Sequence, residues 1–217
     1  MKGLLTKDLL ILKQQAKTAV FILLCGIMMS FTFEKTMVIG YITIIGTMLA
    51  FSTIGYDEFD NGYSFIFTLP VSRRTYVREK YALALGCAFS MAVLGGIIAL
   101  VMMLADGTQH AFEETLISSG SMIAVAILFI SFMIPVRIKY NAEKGRVIMY
   151  ILYAAVLVAG FAGSKLISML GIDMHAFISK LDAMNPWVIL CILAIAVLIL
   201  LAVSEQYTEH VISKKEY

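Results

Sequence analysis

The sequence predicts an all-α polytopic membrane protein with six transmembrane helices and both termini in the cytoplasm. Its composition supports this class, because 60% of the residues are hydrophobic and the mean hydropathy is +0.89. In an ordinary soluble domain only about half of the residues are apolar. Positive charge is also distributed very unevenly among the segments that connect the apolar stretches. Spans and short connections consume almost all of the 217 residues, so we expect one transmembrane domain, 1–217.

Six stretches are apolar enough to cross a bilayer, whose core of about 30 Å needs roughly 20 helical residues. The predicted spans are about 18–33, 37–55, 82–104, 119–136, 147–167 and 186–204. The first is short, and we expect it to recruit Ala16 and Lys17 or to lie where the bilayer is thin. Asn185-Pro186-Trp187 restarts the last span, with proline in the first turn and tryptophan at the interface.

Positive charge is concentrated on one side of these spans. If the helices alternate, the N-terminal segment, the connections after the second and fourth spans, and the C-terminal tail share a side. Of the 17 Lys and Arg residues, only Lys35, Lys165 and Lys180 fall on the other side. Positively charged loops resist translocation, so the rich side is expected to be cytoplasmic, in a bacterial inner membrane. Residues 105–118 would form an external acidic loop, and residues 168–185 an external amphipathic segment.

Residues 1–17 are predicted to form a helix that lies at the membrane interface. Leu5, Leu9, Leu12 and Ala16 recur at helical spacing, and the neighbouring lysines can reach lipid phosphates. A plain extension of the first transmembrane helix is the alternative. A cleaved signal peptide is not favoured, because the polar segment is too long and no small-x-small cleavage site follows the first span.

Small residues mark two seams for helix–helix contact. The first consists of Ala84, Ala88, Ala92 and Gly96 in the third span, and the second of Ala155, Ala159 and Gly163 in the fifth. Helices in lipid associate by close backbone approach, which small residues permit. Packing within one subunit and packing across a dimer both remain open.

The chain lacks the patterns of an enzyme or a self-powered carrier. Every Asp and Glu lies at a span border or in a loop, whereas ion-coupled carriers place ionisable groups inside the membrane. No GxxxxGK[ST] run is present to hold ATP, and no HExxH pair to hold a metal. Cys25, Cys87 and Cys191 lack metal-type spacing. We therefore predict no catalytic residue, no metal, no cofactor bound by this chain, and no nucleic-acid partner.

Residues 56–81 form the most informative segment. Acidic residues come first, followed by an apolar and aromatic stretch, then Leu69-Pro70-Val71-Ser72, then four bases. Apolar groups surrounded by charge typically mark a protein interface. Pro70 can end one short helix and Ser72 can cap the next. The segment is therefore predicted to be a stiff, bent projection on the cytoplasmic side.

This segment resembles the coupling region of the ABC-2 family of ATP-binding-cassette permeases, and residues 56–81 are therefore named here the coupling segment. The resemblance rests on Glu58…Gly62, on Leu69-Pro70-Val71-Ser72-Arg73 and on Val77…Lys80, together with the N-terminal helix and the six-span plan. It implies a permease subunit that pairs with a second copy or a close relative. It also implies an ABC ATPase in two copies, which would hold ATP and Mg. Small bacterial permeases that export amphipathic peptides, including those of the phenol-soluble-modulin type, are the most similar members.

The candidate coupling residues are Glu58, Phe65, Phe67, Leu69, Pro70, Arg73, Arg74 and Arg78. The two phenylalanines and the leucine are expected to dock into the ATPase, and Glu58 to hold the bend by bonding backbone N–H groups. The three arginines would pair with acids of the ATPase or with lipid phosphate. As alternatives, the arginines serve only to fix topology and the aromatic residues pack on their own bundle.

The substrate path is predicted from soft and aromatic side chains. The conduit candidates are Met28, Met29, Phe31, Met48, Phe51, Tyr150 and Tyr153. Flexible methionine tolerates varied apolar ligands, so we expect a peptide or another hydrophobic molecule as substrate. Ordinary bundle core is the alternative for these residues.

Two other functions remain as alternatives to a permease. One is an immunity or sensor protein of the membrane that associates with an exporter without transporting. The other is an intramembrane enzyme, since Glu113-Glu114 is similar to the paired glutamates of CPBP-type proteases, although the pair falls outside the predicted spans. An adjacent reading frame that encodes an ATPase with Walker motifs would favour the permease.

Overall fold

The computed structural model describes residues 2–58, 62–68, 71–140 and 185–214, together with residues 147, 151, 154 and 158. All regular secondary structure in these ranges is helical, which confirms the predicted class for this part of the chain. In chain order the helices are α1 (Lys2–Gln14), α2 (Ala16–Ser30), α3 (Lys35–Glu58), α4 (Gly62–Thr68), α5 (Arg73–Ala105), α6 (Ala111–Lys139) and α7 (Pro186–Ser213).

Four helices of the described ranges, α3, α5, α6 and α7, are long and apolar enough to cross a membrane. They contain the predicted spans 37–55, 82–104, 119–136 and 186–204, which are confirmed as apolar helices of spanning length. A further crossing is possible if α1 and α2 form one broken span. The predicted span 147–167 lies outside the described residues apart from four positions, as does almost all of segment 168–185.

The N-terminal segment is a bent pair of helices. α1 and α2 meet at 58°, and the side-chain amide of Gln15 at the bend donates to the Ser52 hydroxyl of α3 at 2.8 Å. The 15 residues of α2 rise about 22 Å, less than the roughly 30 Å of a bilayer core. α2 begins at Ala16, which agrees with the expectation that the first span recruits Ala16 and Lys17, but it ends at Ser30, so the predicted span 18–33 is wrong at its end. The bend agrees with a separate N-terminal helix and contradicts a straight extension of the first span.

The predicted external loop, 105–118, is wrong in its extent. α5 and α6 are separated by residues 106–110, and Gly107 turns the chain with a φ of 71°, which glycine adopts without steric strain. Glu113 and Glu114 lie in the first turn of α6. Carboxylates in the first turn are stabilised by the positive end of the helix dipole. These acids therefore belong to the start of a helix and not to a loop.

The small-residue seam of the third span packs inside the subunit. All four of its members are buried: Ala84, Ala88, Ala92 and Gly96. A Cβ added to the adjacent Gly95 would come within 3.2 Å of the Ile39 Cα in α3, so the backbones of α3 and α5 approach closely. Packing within one subunit is therefore confirmed for this seam, while the seam of the fifth span lies outside the described residues.

A hydrogen bond associated with a proline fixes α7 against α6. Pro135 has no N–H, so it cannot donate to the carbonyl of Ser131 one turn earlier. The Ser204 hydroxyl of α7 donates to that carbonyl at 2.5 Å, and the Tyr81 hydroxyl of α5 lies 2.6 Å from the same serine oxygen. These buried groups join three helices by polar contacts inside an apolar bundle.

Charged contacts occur at both ends of the described bundle. At one end, Lys35, the first residue of α3, pairs with Asp106 after α5 at 2.5 Å. At the other end, Lys80 of α5 contacts Asp8 of α1, and Arg73 of α5 contacts the end of α7. The N-terminal segment, the coupling segment and the C-terminal helix thus share one end. The assignment of that end to the cytoplasm stays a prediction.

Candidate functional site

The site begins where α4 folds back onto the end of α3. A Cβ on Gly62 would come within 2.5 Å of the Asp57 carbonyl oxygen, a distance that a side chain cannot adopt. Glycine at the first position of α4 therefore permits the close approach. This gives a physical reason for the spacing Glu58…Gly62.

The short helix α4 has an anchored face and an exposed face. Tyr63 and Ile66 are buried against the bundle, and the Tyr63 ring meets the Tyr76 ring of α5 edge to face, with centroids 5.9 Å apart. Phe65 lies on the other face and is 69% exposed. α4 is thus fixed on one side and presents an aromatic side chain on the other.

Five charged residues gather beneath α4 and are named here the charged cluster: Lys7 and Asp8 of α1, Asp57 of α3, and Glu79 and Lys80 of α5. All except Lys7 are buried, and Lys80 is 1% exposed. Charged side chains are seldom fully buried unless they are paired. The cluster therefore marks a place where three helices depend on one another.

Lys80 is the centre of the charged cluster. Its ammonium group contacts the Asp8 carboxylate and lies 2.6 Å from Asp57 Oδ2. Lys7 contacts Asp57 as well and lies 3.1 Å from Asp8 Oδ1. The Tyr76 hydroxyl donates to Asp57 Oδ2 at 3.0 Å, so the ring that supports α4 is itself bonded to the cluster.

The charged cluster contains two basic and three acidic side chains. Glu79 has the weakest pairing of the three acids within the described residues, because its Oε2 lies 3.8 Å from the Lys80 ammonium and neither of its carboxylate oxygens accepts a hydrogen bond there. Removing one member of a buried ion pair costs about 3–5 kcal/mol, because it leaves an uncompensated charge. Loss of either lysine would leave the buried carboxylates with one counter-charge fewer.

Arg73 caps the end of α7. Its Nη1 donates to the backbone carbonyl oxygens of Ile212 at 3.0 Å and Ser213 at 2.8 Å. Carbonyls in the last turn of a helix lack partners within that helix, and a cation is favourable at the negative end of the helix dipole. The coupling segment is thereby joined to the C-terminal helix.

Arg74 and Arg78 face acids of the same helix. Arg74 Nε lies 3.2 Å from Glu209, and Arg78 Nε lies 3.3 Å from both Glu205 and Glu209. The two arginine side chains are 76% and 58% exposed, and exposed ion pairs contribute roughly 0–1 kcal/mol. They can therefore exchange these partners for others, and their predicted contact with an ATPase or with lipid phosphate stays a prediction.

A groove of about 590 Å³ lies between α1 and α4 and is named here the docking groove. Leu4, Tyr56 and Phe65 contribute to its apolar wall, and Lys7 and Asp57 of the charged cluster also line it. A side chain that entered the groove would touch the short helix and the charged cluster together.

A family model described as ABC-2 family transporter protein matches residues 3–212 of the chain. The chain belongs to the ABC-2 transporter family. No match was found among curated proteins or among solved structures. The family match extends from α1 to α7, so it covers the bundle as well as the coupling segment. Family and apolar helices together establish a multi-pass membrane protein of a transport system.

Of the candidate coupling residues of this ABC-2 protein, the structure describes Glu58, Phe65 and the three arginines in full. Glu58 is half-buried at the last position of α3. Leu69, Pro70 and the side chain of Phe67 lie outside the described residues. The predicted cap at Ser72 is confirmed, because its side chain accepts a hydrogen bond from the Thr75 N–H at 3.1 Å.

The described conduit candidates do not share one environment. Phe51 is buried in the core, where its ring meets Phe129 edge to face at 5.5 Å. Met28 is exposed on α2, Phe31 is exposed just after α2, and Met48 is exposed on α3. Met29 is half-buried. Tyr150 and Tyr153 lie outside the described residues. For Phe51 the placement matches the alternative of ordinary bundle core.

The charged cluster is not predicted by the sequence patterns. The sequence predicts that the lysines of the N-terminal segment reach lipid phosphates, whereas Lys7 pairs with Asp57. A signal was present in α1, because Asp8 lies four residues from Leu4 and four from Leu12, on the face that packs on the core. An acid in the middle of an apolar helix face indicates a buried partner. The described part of this ABC-2 protein holds no group of three or more His, Cys, Asp or Glu side chains suited to a metal ion.

Proposed function

We propose that the chain is the membrane-spanning permease subunit of an ATP-driven exporter and that α4 couples it to a separate ATPase. The observation that carries the proposal is the exposed ring of Phe65 on a helix whose other face is anchored. Aromatic side chains held rigidly at a surface are typical anchors of protein interfaces. The docking groove beside it supplies a matching recess for a side chain of the ATPase.

Movement of the ATPase would reach the membrane through the charged cluster. α4 packs on Tyr76, and the Tyr76 hydroxyl is bonded to Asp57 at the end of α3. Asp57 and Lys80 in turn join α3 and α5 to α1. Because separating buried ion pairs is costly, a displacement of α4 would move these three helices together. α3 and α5 would then carry the displacement across the bilayer.

The complete transporter would contain two ATPase subunits, which bind ATP and Mg, and a second copy of this chain or a close relative. In this proposal the chain has six spans, with 147–167 as the fifth, and both termini lie in the cytoplasm of a bacterial cell. The proposed substrate is an amphipathic peptide or another hydrophobic molecule moved outward. Exposed Met28 and Phe31 support this, because they give the end of α2 an apolar surface that a peptide leaving into the bilayer can contact.

The variant Phe65→Asp tests the coupling. The permease and the ABC ATPase of the proposed complex are expressed together, and the tagged permease is purified. The variant should retain little ATPase, because burying an unpaired carboxylate at an apolar contact costs several kcal/mol. Phe33→Asp is the matched control, since Phe33 is an exposed phenylalanine at the opposite end of the bundle. That variant should retain the ATPase in full.

Equal retention of the ATPase by Phe65→Asp and by the parent chain would place the contact elsewhere.

The same purified complex tests the substrate. Its ATP hydrolysis in lipid vesicles should rise when an amphipathic peptide is added, and a hydrophilic solute should leave the rate unchanged. Stimulation by the solute alone would refute the peptide assignment without affecting the assignment as a permease.

A further inference from the structure

A second groove, of about 350 Å³, lies between α6 and α7 and is named here the lateral groove. Phe132, Pro135 and Val136 line it from α6, and Leu200, Val203, Ser204 and Tyr207 line it from α7. On α7 these positions follow the spacing i, i+3, i+4 and i+7, and on α6 they follow i, i+3 and i+4, which places each set on one face of its helix. Seven residues of helix rise about 10 Å, a third of the roughly 30 Å apolar core of a bilayer.

The polar groups in the floor of the lateral groove are already engaged. The Ser204 hydroxyl donates to the Ser131 carbonyl that Pro135 leaves unpaired, and the Ser131 hydroxyl donates to the Ile127 carbonyl at 2.8 Å. A polar ligand would gain few hydrogen bonds in this floor and would lose those it makes with water. The lateral groove therefore suits a hydrocarbon chain.

One end of the lateral groove is basic. Lys139 follows Phe132 by seven residues on the same face of α6, and its ammonium group donates to the Tyr207 hydroxyl at 3.2 Å. Lys139 is exposed, and no carboxylate lies within 4 Å of it among the described residues. Tyr207 can still donate its own hydroxyl hydrogen. An anion at this end would meet an ammonium group and an O–H donor.

We propose that the lateral groove binds one anionic phospholipid of the surrounding bilayer, with an acyl chain between Phe132 and Val203 and the phosphate at Lys139 and Tyr207. The charge of Lys139 complements the phosphate, and an aromatic belt residue such as Tyr207 lies at headgroup level in membranes. Along the groove the apolar stripe leads to the basic end, as the acyl chain of a lipid leads to its headgroup. The proposal requires a membrane-spanning chain and is independent of coupling to an ATPase.

Fluorescence quenching by brominated lipids tests this site in the full chain reconstituted in phosphatidylcholine bilayers. Trp187 is the chain's single tryptophan, so Trp187→Phe removes all tryptophan fluorescence from the protein. Phe132→Trp then places a reporter in the lateral groove, and Leu198→Trp places one on the opposite face of α7. The groove reporter should be half-quenched at about fivefold less brominated phosphatidylglycerol than brominated phosphatidylcholine, the factor expected for one basic residue near the surface. The reporter at position 198 should show no preference.

Lys139→Gln should abolish the preference at the groove reporter. Arg137→Gln is the matched control, because position 137 is two residues earlier on α6 and about 200° around the helix, and it should keep the preference. A preference that persists in Lys139→Gln, or that Arg137→Gln removes equally, overturns the proposal. A groove reporter that neither brominated lipid quenches also overturns it, since the groove would then be covered by residues 147–167 or by a second copy of the chain.

Discussion

Replacing Lys80 with methionine removes the ammonium group between Asp8 and Asp57 and leaves a side chain of similar length. The two carboxylates and Lys80 are all less than 5% exposed, so water cannot compensate for the loss. Breaking a buried ion pair costs about 3–5 kcal/mol. We expect the lower value, about 3 kcal/mol, because Lys7 still contacts both carboxylates. For a chain of this length, that corresponds to a melting temperature lower by about 6–12 °C.

Three free cysteines make this change measurable in detergent. Cys25 and Cys87 are half-buried, whereas Cys191 is exposed. In a Cys191→Ala background, a thiol-reactive dye would report unfolding through the two half-buried thiols. Lys13→Met is the matched control, because it removes an exposed lysine from α1 and should change the melting temperature by less than about 2 °C.

The double variant Asp8→Asn with Lys80→Met separates charge from packing. It should recover part of the lost stability, because it removes one of the carboxylates left without compensation. If Lys80→Met melts within about 2 °C of the parent, or no lower than Lys13→Met, the charged cluster does not join the helices as argued.

Two further predictions concern the start of α4 and the orientation of the bundle. Gly62→Ala should destabilise the protein by about 1–3 kcal/mol, because the new Cβ would overlap the Asp57 carbonyl oxygen and displace α4. Gly55→Ala is the control at a helical glycine with open space around it, and it should leave the melting temperature equal or higher. Equal effects of the two changes on the melting temperature would contradict the steric argument. In a cysteine-free chain, an impermeant thiol reagent added to intact cells should label His110→Cys and spare Ser72→Cys, both of which are exposed. The reverse pattern would put the coupling segment outside the cell and exclude the proposed coupling.

Local signals predicted a large part of the fold. The four long spans were predictable because an uninterrupted apolar run of spanning length has few alternatives in a membrane. The cap at Ser72 and the helix start at Asn185-Pro186 were predictable for another reason. Each depends only on neighbours within three residues. The limits of the α5–α6 connection were not, because acidic residues are compatible with a loop and with the first turn of a helix.

The charged cluster shows why the site was harder to predict than the spans. Lys80 and Asp8 are separated by 72 positions, and Lys7 and Asp57 by 50. A charged residue at the border of a span is the same in sequence whether it reaches water, lipid phosphate or a buried partner. Only the fold places α1 across the ends of α3 and α5. Exposure of Phe65 and burial of Tyr63 likewise depend on how α4 is seated, which its seven residues do not reveal by themselves.

Arg73 and Lys80 give both ends of the polypeptide a common anchor. Two turns of α5 hold the first helix of the chain through Asp8 and the last helix through the carbonyls of Ile212 and Ser213. Helices at opposite termini are commonly treated as free handles for tags, truncations and fusions. In this protein an alteration of α1 or α7 would be transmitted to the start of α5, and from there through Tyr76 to α4, the helix for which we propose contact with the ATPase.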